Sequence, residues 1–310
     1  MSLTEDQFVA WLEAQRRLDP RRFPVGIGDD MAQIRLTDAA SVLITTDMLL
    51  EGVHFDLATA TLEQVGYKAM AASLSDCAAM ATRPLAAVVS VGLPPHLTAD
   101  QIKQVHAGIL RASDRYNCPV VGGDMTCWRS PLPLVINVAM LSEPATSRPV
   151  TRNGARVGDA ICVTGVLGRS LAGRHLDFEP RVQEAICIAQ TVELHAMMDL
   201  SDGLASDLPR ICQRSGVGAV IEADGLPVSE QARRSPDPVH SALCDGEDFE
   251  LLFTLSERDC RRLLKTWSQP VPVTRIGTIT GTGKVQIRTA DGTVQDLKDR
   301  GYDHFSRGSD

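Results

Sequence analysis

None of the eight cysteines in this chain of 310 residues lies in a C-x-x-C pair; they stand at 77, 118, 127, 162, 187, 212, 244 and 260, scattered along expected strands and helices. That spacing suits neither a structural zinc site nor a disulfide framework, so reduced thiols are expected. Also missing is any uninterrupted apolar run near the roughly 18 residues that cross a bilayer. Glu5, Asp6 and Glu13 charge the N-terminal stretch where a leader would be apolar. A cytoplasmic protein with no membrane contact is the expectation. A basic excess is absent too, since 31 Lys and Arg face 39 Asp and Glu for a net charge of −8. General nucleic-acid binding is therefore not expected.

Two phosphate-loop patterns fail in detail. Gly26-Ile27-Gly28 opens like a dinucleotide fingerprint, but Met31 occupies the third glycine position and Asp29 and Asp30 would repel a bare pyrophosphate. Gly283-Lys284 would need Gly at Thr278 and Ser or Thr at Val285 to be a P-loop. No collagen-like, heptad or short solenoid repeat is present.

What the chain does have is a series of acidic clusters beside small or hydroxyl residues: Gly28-Asp29-Asp30, Thr45-Thr46-Asp47, Ser75-Asp76, Gly122-Gly123-Asp124 and Asp199-Leu200-Ser201-Asp202. Carboxylates and hydroxyls without nearby thiols or imidazoles are hard oxygen donors, suited to Mg2+, Mn2+ or Ca2+ rather than zinc. Mg2+ in turn points to phosphate, with cations lying between it and the acidic loop.

The length favours two domains, and 44% hydrophobic residues can fill both cores. Capping boxes at Thr4–Gln7, Thr61–Gln64 and Thr98–Gln101 open three helices, the second alanine-rich and reaching Met80. Asp76 falls late in that helix, where the macrodipole disfavours a negative charge, so it needs a compensating cation, either a metal or a side chain such as Arg83. Strands are expected at Ser41–Thr45, delivering Thr45, Thr46 and Asp47 at its carboxyl end, at Leu85–Leu93, at Pro119–Val121 running into the glycines, and at Leu134–Leu141. Pro144, Pro149, Gly154 and Gly158 mark a boundary, where Arg148, Arg152 and Arg156 offer either an anion contact or a solvated linker. Beyond it come a strand at Ala160–Thr164, a helix from about Pro180 to Met197, and a helix Leu204–Ser215 capped by Ser201 or Asp202. Strands follow at Val217–Glu222, Phe249–Leu255 and Val273–Thr280. Both halves alternate strands with helices, so each is an α/β domain, 1–142 and 143–310.

Taken in order, Gly-Ile-Gly-Asp-Asp, Thr-Thr-Asp-Met-Leu with a downstream Gly-Val-His-Phe, Leu-Ser-Asp, Gly-Gly-Asp, Asp-Leu-Ser-Asp-Gly-Leu, Gly-Glu-Asp-Phe-Glu-Leu and Gly-Tyr-Asp-His-Phe resemble the thiamine-monophosphate kinase family, within the aminoimidazole-ribonucleotide synthetase-like superfamily. The resemblance runs from about Val25 to Phe305. It implies a two-domain α/β fold with mixed sheets, a homodimer, and transfer of the γ-phosphoryl group of ATP to thiamine monophosphate with several Mg2+ ions. It places metal ligands at Asp30, Thr45, Thr46, Asp47, Asp76, Asp124, Asp199 and Asp202. It places ATP contacts at Tyr116, Gly123, Asp124, Arg152 and Ser201, and acceptor contacts at His54, Glu247 and Tyr302. The chain departs from the family at Ala72-Ser73, Met80-Ala81-Thr82 and Met125, and Gly168–Met198 is short. An ATP-using relative with a different acceptor is the alternative. No His or Cys sits in a nucleophile motif, and a phosphate acceptor is already deprotonated, so direct in-line transfer is expected.

Overall fold

The capping box of Thr61 and Gln64 opens an alanine-rich helix around which the other elements pack. The computed structural model of the protein describes residues 4–15, 18–297 and 301–302. Its first half runs α1 (Glu5–Gln15), β1 (Ala32–Arg35), β2 (Ser41–Leu50), α2 (Leu62–Ala79), β3 (Thr82–Leu93), α3 (Ala99–Arg115), β4 (Val120–Cys127) and β5 (Val135–Pro144). These strands form a sheet in the order β1-β2-β5-β3-β4, antiparallel except for β3 and β4.

The second half adds β6 (Ala160–Thr164), α4 (Val182–Thr191), β7 (Leu194–Asp199), α5 (Leu204–Ser215), β8 (Gly218–Glu222), α6 (Glu230–Arg233), α7 (Pro238–Cys244), β9 (Leu251–Leu255), α8 (Glu257–Thr266), β10 (Val273–Thr280), β11 (Val285–Arg288) and β12 (Val294–Asp296). Its sheet has the order β12-β11-β8-β10-β6-β9-β7, with β11 and β8 parallel. Both sheets are mixed, as the resemblance implies.

Helix α2 is buried at 14 of its 18 positions, because it packs on the first sheet and α3 and also on α4 and β7 of the second half. Small residues allow this. A Cβ at Gly66 would stand 1.9 Å from the Val105 carbonyl oxygen, and one at Gly108 would stand 1.8 Å from that of Glu63, so α2 and α3 touch backbone to backbone through two glycines. One apolar core runs from the first sheet through α2 into the near face of the second, joining Leu74 and Met140 to Met197 and Phe253. A second core lies on that sheet's far face around Leu208, Ile221 and Ile276. Among the described residues no helix is long and apolar enough to cross a membrane.

Three local expectations are corrected. The strand expected to end at Thr45 continues to Leu50, so Thr45, Thr46 and Asp47 lie inside β2, and Gly122, Gly123 and Asp124 likewise lie inside β4. The helix expected to reach Met197 stops at Thr191, and Leu194–Asp199 pairs instead with β9. Ala196, Met197 and Met198 are all fully buried, and a strand covered on both faces reads as the same unbroken apolar run as a helix. Helix α5 begins after Gly203 at φ +98° with no side-chain cap. Asp202 is engaged elsewhere, with its carboxylate on Arg210 at 2.6 Å and its N–H donating to Asp207 at 3.1 Å.

Candidate active site

Alternation along β2 turns Thr45 and Asp47 toward α2 and leaves Thr46 on the outer face of the sheet. On the α2 side, the Thr45 hydroxyl donates to Asp76 and the Ser73 hydroxyl donates to Asp47 at 2.7 Å. Two residues beyond Ser73 on α2, Ser75 donates to Asp199, which β7 delivers at its carboxyl end, at 2.5 Å. The loop before β1 brings Asp30 into the same group, so that oxygens of Asp30, Asp76 and Asp199 all lie within 4.8 Å of one another. Arg152 grips Asp30 with a bidentate contact at 2.6 and 3.2 Å, and its N–H donates to Asp29 at 2.6 Å.

Four crowded carboxylates with one arginine cannot all ionise cheaply. Burial, then Asp47, Asp199 and Asp30, pushes Asp76 well above the usual carboxylate range. Burial and Asp30 lift Asp199 to about 7, and Asp47 is raised by burial against the opposing pull of Ser73. Arg83, the side-chain alternative for Asp76, lies opposite Glu143 on β5, and the side chain that Asp76 meets is Thr45. The donor set is all oxygen, without a thiol or imidazole, and suits a small hard divalent cation.

In front of this cluster a cleft of about 620 Å³ is lined by Asp47, His54, Arg152, Ser201, Asp202, Glu247 and Tyr302 from the sequence-selected set, together with the cations Lys68, Arg210 and Arg214. Leu50 donates its N–H to His54 Nδ1 at 3.0 Å, so the ring is neutral with its proton on Nε2, a donor rather than a base. Glu247 sits at φ +62° and Phe249 at φ +50°, a left-handed turn that non-glycine residues adopt only when held. The holding contacts are explicit. Glu247 donates its N–H to the Ser201 carbonyl at 2.6 Å, Asp248 pairs with Arg174 at 2.5 Å, and Glu250 pairs with Arg181 at 2.6 Å. Tyr302 is placed by its own N–H on the Asp202 carbonyl at 2.9 Å, and a Cβ on Gly301 would come 1.8 Å from that same oxygen. Asp303 to Phe305, the rest of that motif, lie outside the described residues.

Four selected residues lie apart. Thr46 accepts from Asn137 at 2.9 Å on the outer sheet face. Asp124 is in register with Ser90, Asn137 and Met48, which sets it three strands, about 14 Å, from β2. Gly123 precedes it on the exposed edge strand, where a Cβ would meet the Val89 carbonyl at 1.8 Å. Tyr116 ends α3, and its hydroxyl donates to the Pro180 carbonyl at 3.0 Å.

Sequence reasoning missed Lys68, His175, Arg210 and Asp207. Lys68 carried a signal, the single cation of an alanine-rich helix, and Asp207 with Arg210 carried the i,i+3 spacing of a helical ion pair. His175 sits within the short 3-10 turn Arg174–Leu176 and had no pattern to reveal it.

Residues 28–143 match the family model for the N-terminal domain of AIR synthase related proteins, and residues 156–289 match the model for their C-terminal domain. A thiamine-monophosphate kinase of Rhodopirellula baltica is 37% identical over 97% of both chains. One of Synechococcus elongatus is 35% identical over 90% of this chain and 91% of that protein. A solved structure of AaThiL complexed with AMPPCP and TMP superimposes with a TM-score of 0.83 at 31% identity, covering 98% of this chain and 97% of its own. With such identity along nearly its whole length, and with both domain models matched in order, the chain belongs to the thiamine-monophosphate kinase family of AIR synthase related proteins.

Proposed function

We infer that the protein phosphorylates thiamine monophosphate with ATP, giving thiamine diphosphate and ADP. The observation that carries the reading is the Asp30, Asp76 and Asp199 group lying behind a cleft whose wall includes Asp47 and the Asp30-bound Arg152 together with Glu247 and His54. Two phosphate-bearing molecules must meet there, and each pair of unit charges about 4 Å apart repels by about 4 kcal/mol at an effective dielectric of about 20. Several such pairs would keep the substrates apart without cations.

We assign Mg2+ binding to Asp30, Thr45, Asp47, Asp76 and Asp199, with Asp202 beside them at the cleft. Bound Mg2+ would supply charge neutralisation and orientation of the phosphates. Arg152 and Ser201 are proposed to meet the nucleotide, supported by their place on the cleft wall, where Arg152 is paired with Asp30. His54, Glu247 and Tyr302 are proposed to meet the acceptor. A neutral His54 donor and an anionic Glu247, whose pKa is lowered by its His175 and Lys68 partners against the effect of burial, offer polar contacts without taking part in proton transfer.

No side chain here is set up as a nucleophile, so transfer is direct and in line, with inversion at phosphorus and sequential kinetics. Incubation with γ-labelled ATP and Mg2+ in the absence of acceptor is expected to leave the protein unlabelled. A labelled protein that passes its phosphate to added thiamine monophosphate would make the carboxylates nucleophiles and overturn the direct route.

A homodimer is proposed through the outer face of the first sheet. Ile44, Met48, Val88 and Leu141 are exposed there, an apolar surface of the kind that marks an interface. Thr46, Gly123 and Asp124 lie on this sheet too, and their proposed ligand roles require that a second subunit or bound nucleotide bring a site to them. Sedimentation is expected to give twice the chain mass, and a fully active monomer would remove the dimer and leave only bound nucleotide to give Thr46, Gly123 and Asp124 their roles. The division into a metal- and ATP-binding, dimerising unit 1–142 and a second unit 143–310 is supported by the gap between the two family matches. Residence in the cytoplasm is supported by eight cysteines of which none is disulfide-bonded.

A further inference from the structure

Lys68 is a cation deep in α2, with 1% of its side chain exposed. Its ammonium donates to Glu247 Oε2 at 2.6 Å and to the His54 carbonyl oxygen and lies 2.9 Å from His175 Nδ1, which is itself 2.8 Å from Glu247 Oε2. The ammonium is thus held among protein partners, and its effect on a ligand runs through them. Two of these three partners belong to residues assigned above to the acceptor side of the cleft. Glu247 is reached through its carboxylate, and His54 through the main chain that carries its ring. Lys68 comes from the first half of the chain and Glu247 from the second, where it occupies a left-handed turn whose other acids are tied to Arg174 and Arg181.

We propose that Lys68 is a positioning residue for acceptor binding, tying the Glu247 carboxylate to the His54 main chain across the cleft between the two halves. The role rests on the functional reading above. It acts on the acceptor and not on the nucleotide, whose proposed contacts, Arg152 and Ser201, share no hydrogen bond with Lys68. A cation that served only to stabilise the fold would affect both substrates alike.

Lys68→Met keeps the length of the side chain and removes the ammonium. It is expected to raise KM for thiamine monophosphate by roughly tenfold or more while KM for ATP moves by less than about threefold. Because Lys68 works through Glu247, adding Lys68→Met to Glu247→Gln is expected to raise the acceptor KM by no more than about threefold beyond the single Glu247 variant. Equal rises in both KM values, or a fully additive double variant, would overturn the role. Should Lys68→Met fail to fold, Lys68→Arg carries the same test, since a planar fork cannot reproduce the three-way ammonium contact and should give the same split between substrates. Wild-type protein with no turnover of thiamine monophosphate would overturn the functional reading and this role with it. Wild-type turnover with an unsplit or additive variant would overturn only the role of Lys68.

Discussion

Asp76→Asn is expected to lower turnover by about 10³-fold or more, equivalent to about 4 kcal/mol of barrier, without unfolding the protein. Asp47→Asn is expected to do the same. Both residues face the cleft-side cluster from the packed interior, Asp76 from α2 and Asp47 from β2, and each is pushed toward its neutral form by burial and by neighbouring carboxylates. An amide of nearly the same shape removes one charge from that group, so in the absence of metal the variants should be as stable as the parent or more so, by on the order of 1 kcal/mol. Their Thr45 and Ser73 hydroxyl partners remain available to an amide oxygen. The check is a steady-state assay across Mg2+ concentrations beside a melting curve in chelator. Unchanged turnover with unchanged Mg2+ dependence in both variants would remove these residues from the site, and a collapse of the melting temperature would make them structural.

The same crowding gives the metal-free protein a pH dependence of definite sign. Asp199 is lifted from an ordinary value of 3.8 to about 7, so its contribution to stability is fully present below about pH 4 and is lost as pH rises through 7. The loss is roughly a few kcal/mol at most. For a chain of this size each kcal/mol corresponds to about 2–4 °C in melting temperature. Without metal, the melting temperature of the parent is expected to fall relative to that of Asp199→Asn between pH 5 and pH 8, roughly the range of this titration. Added Mg2+ is expected to raise the parent's melting temperature more at pH 8 than at pH 5.5, because ionised carboxylates bind the cation. Scanning calorimetry of the two proteins, with and without Mg2+, checks both statements. A difference that does not change with pH would mean that Asp199 is ionised throughout and the cluster is less crowded than its geometry indicates.

Much of the site was legible in the sequence because its residues sit in short polar breaks of apolar segments. The three capping boxes fell where they were read, and α2 proved as tightly packed as its run of alanines required. What remained illegible was set by pairing between distant segments. Whether Thr46 shares a face with Asp47 depends only on strand alternation, yet the expected strand ended too early for alternation to be applied there. Leu194–Asp199 became a strand because β9 was available to pair with it, which no local pattern states. Asp124 looked equivalent to Asp76 as an acid after small residues, but sheet order put it on an exposed edge strand. Arg83 stands only seven positions beyond Asp76, but β3 carries it to a place opposite Glu143. Lys68 was visible as an anomaly, while its partners, separated from it by 14, 107 and 179 positions, were not.

The most direct measurement incubates the purified protein with ATP and Mg2+ and, in parallel, with thiamine monophosphate, free thiamine or unrelated phosphate esters, while ADP and the phosphorylated product are quantified. The expected result is one thiamine diphosphate per ADP, dependent on Mg2+, with thiamine monophosphate as the only productive acceptor. ADP formation that ignores thiamine monophosphate and follows another acceptor would contradict the proposed function, leaving the chain an ATP-using relative of the same fold.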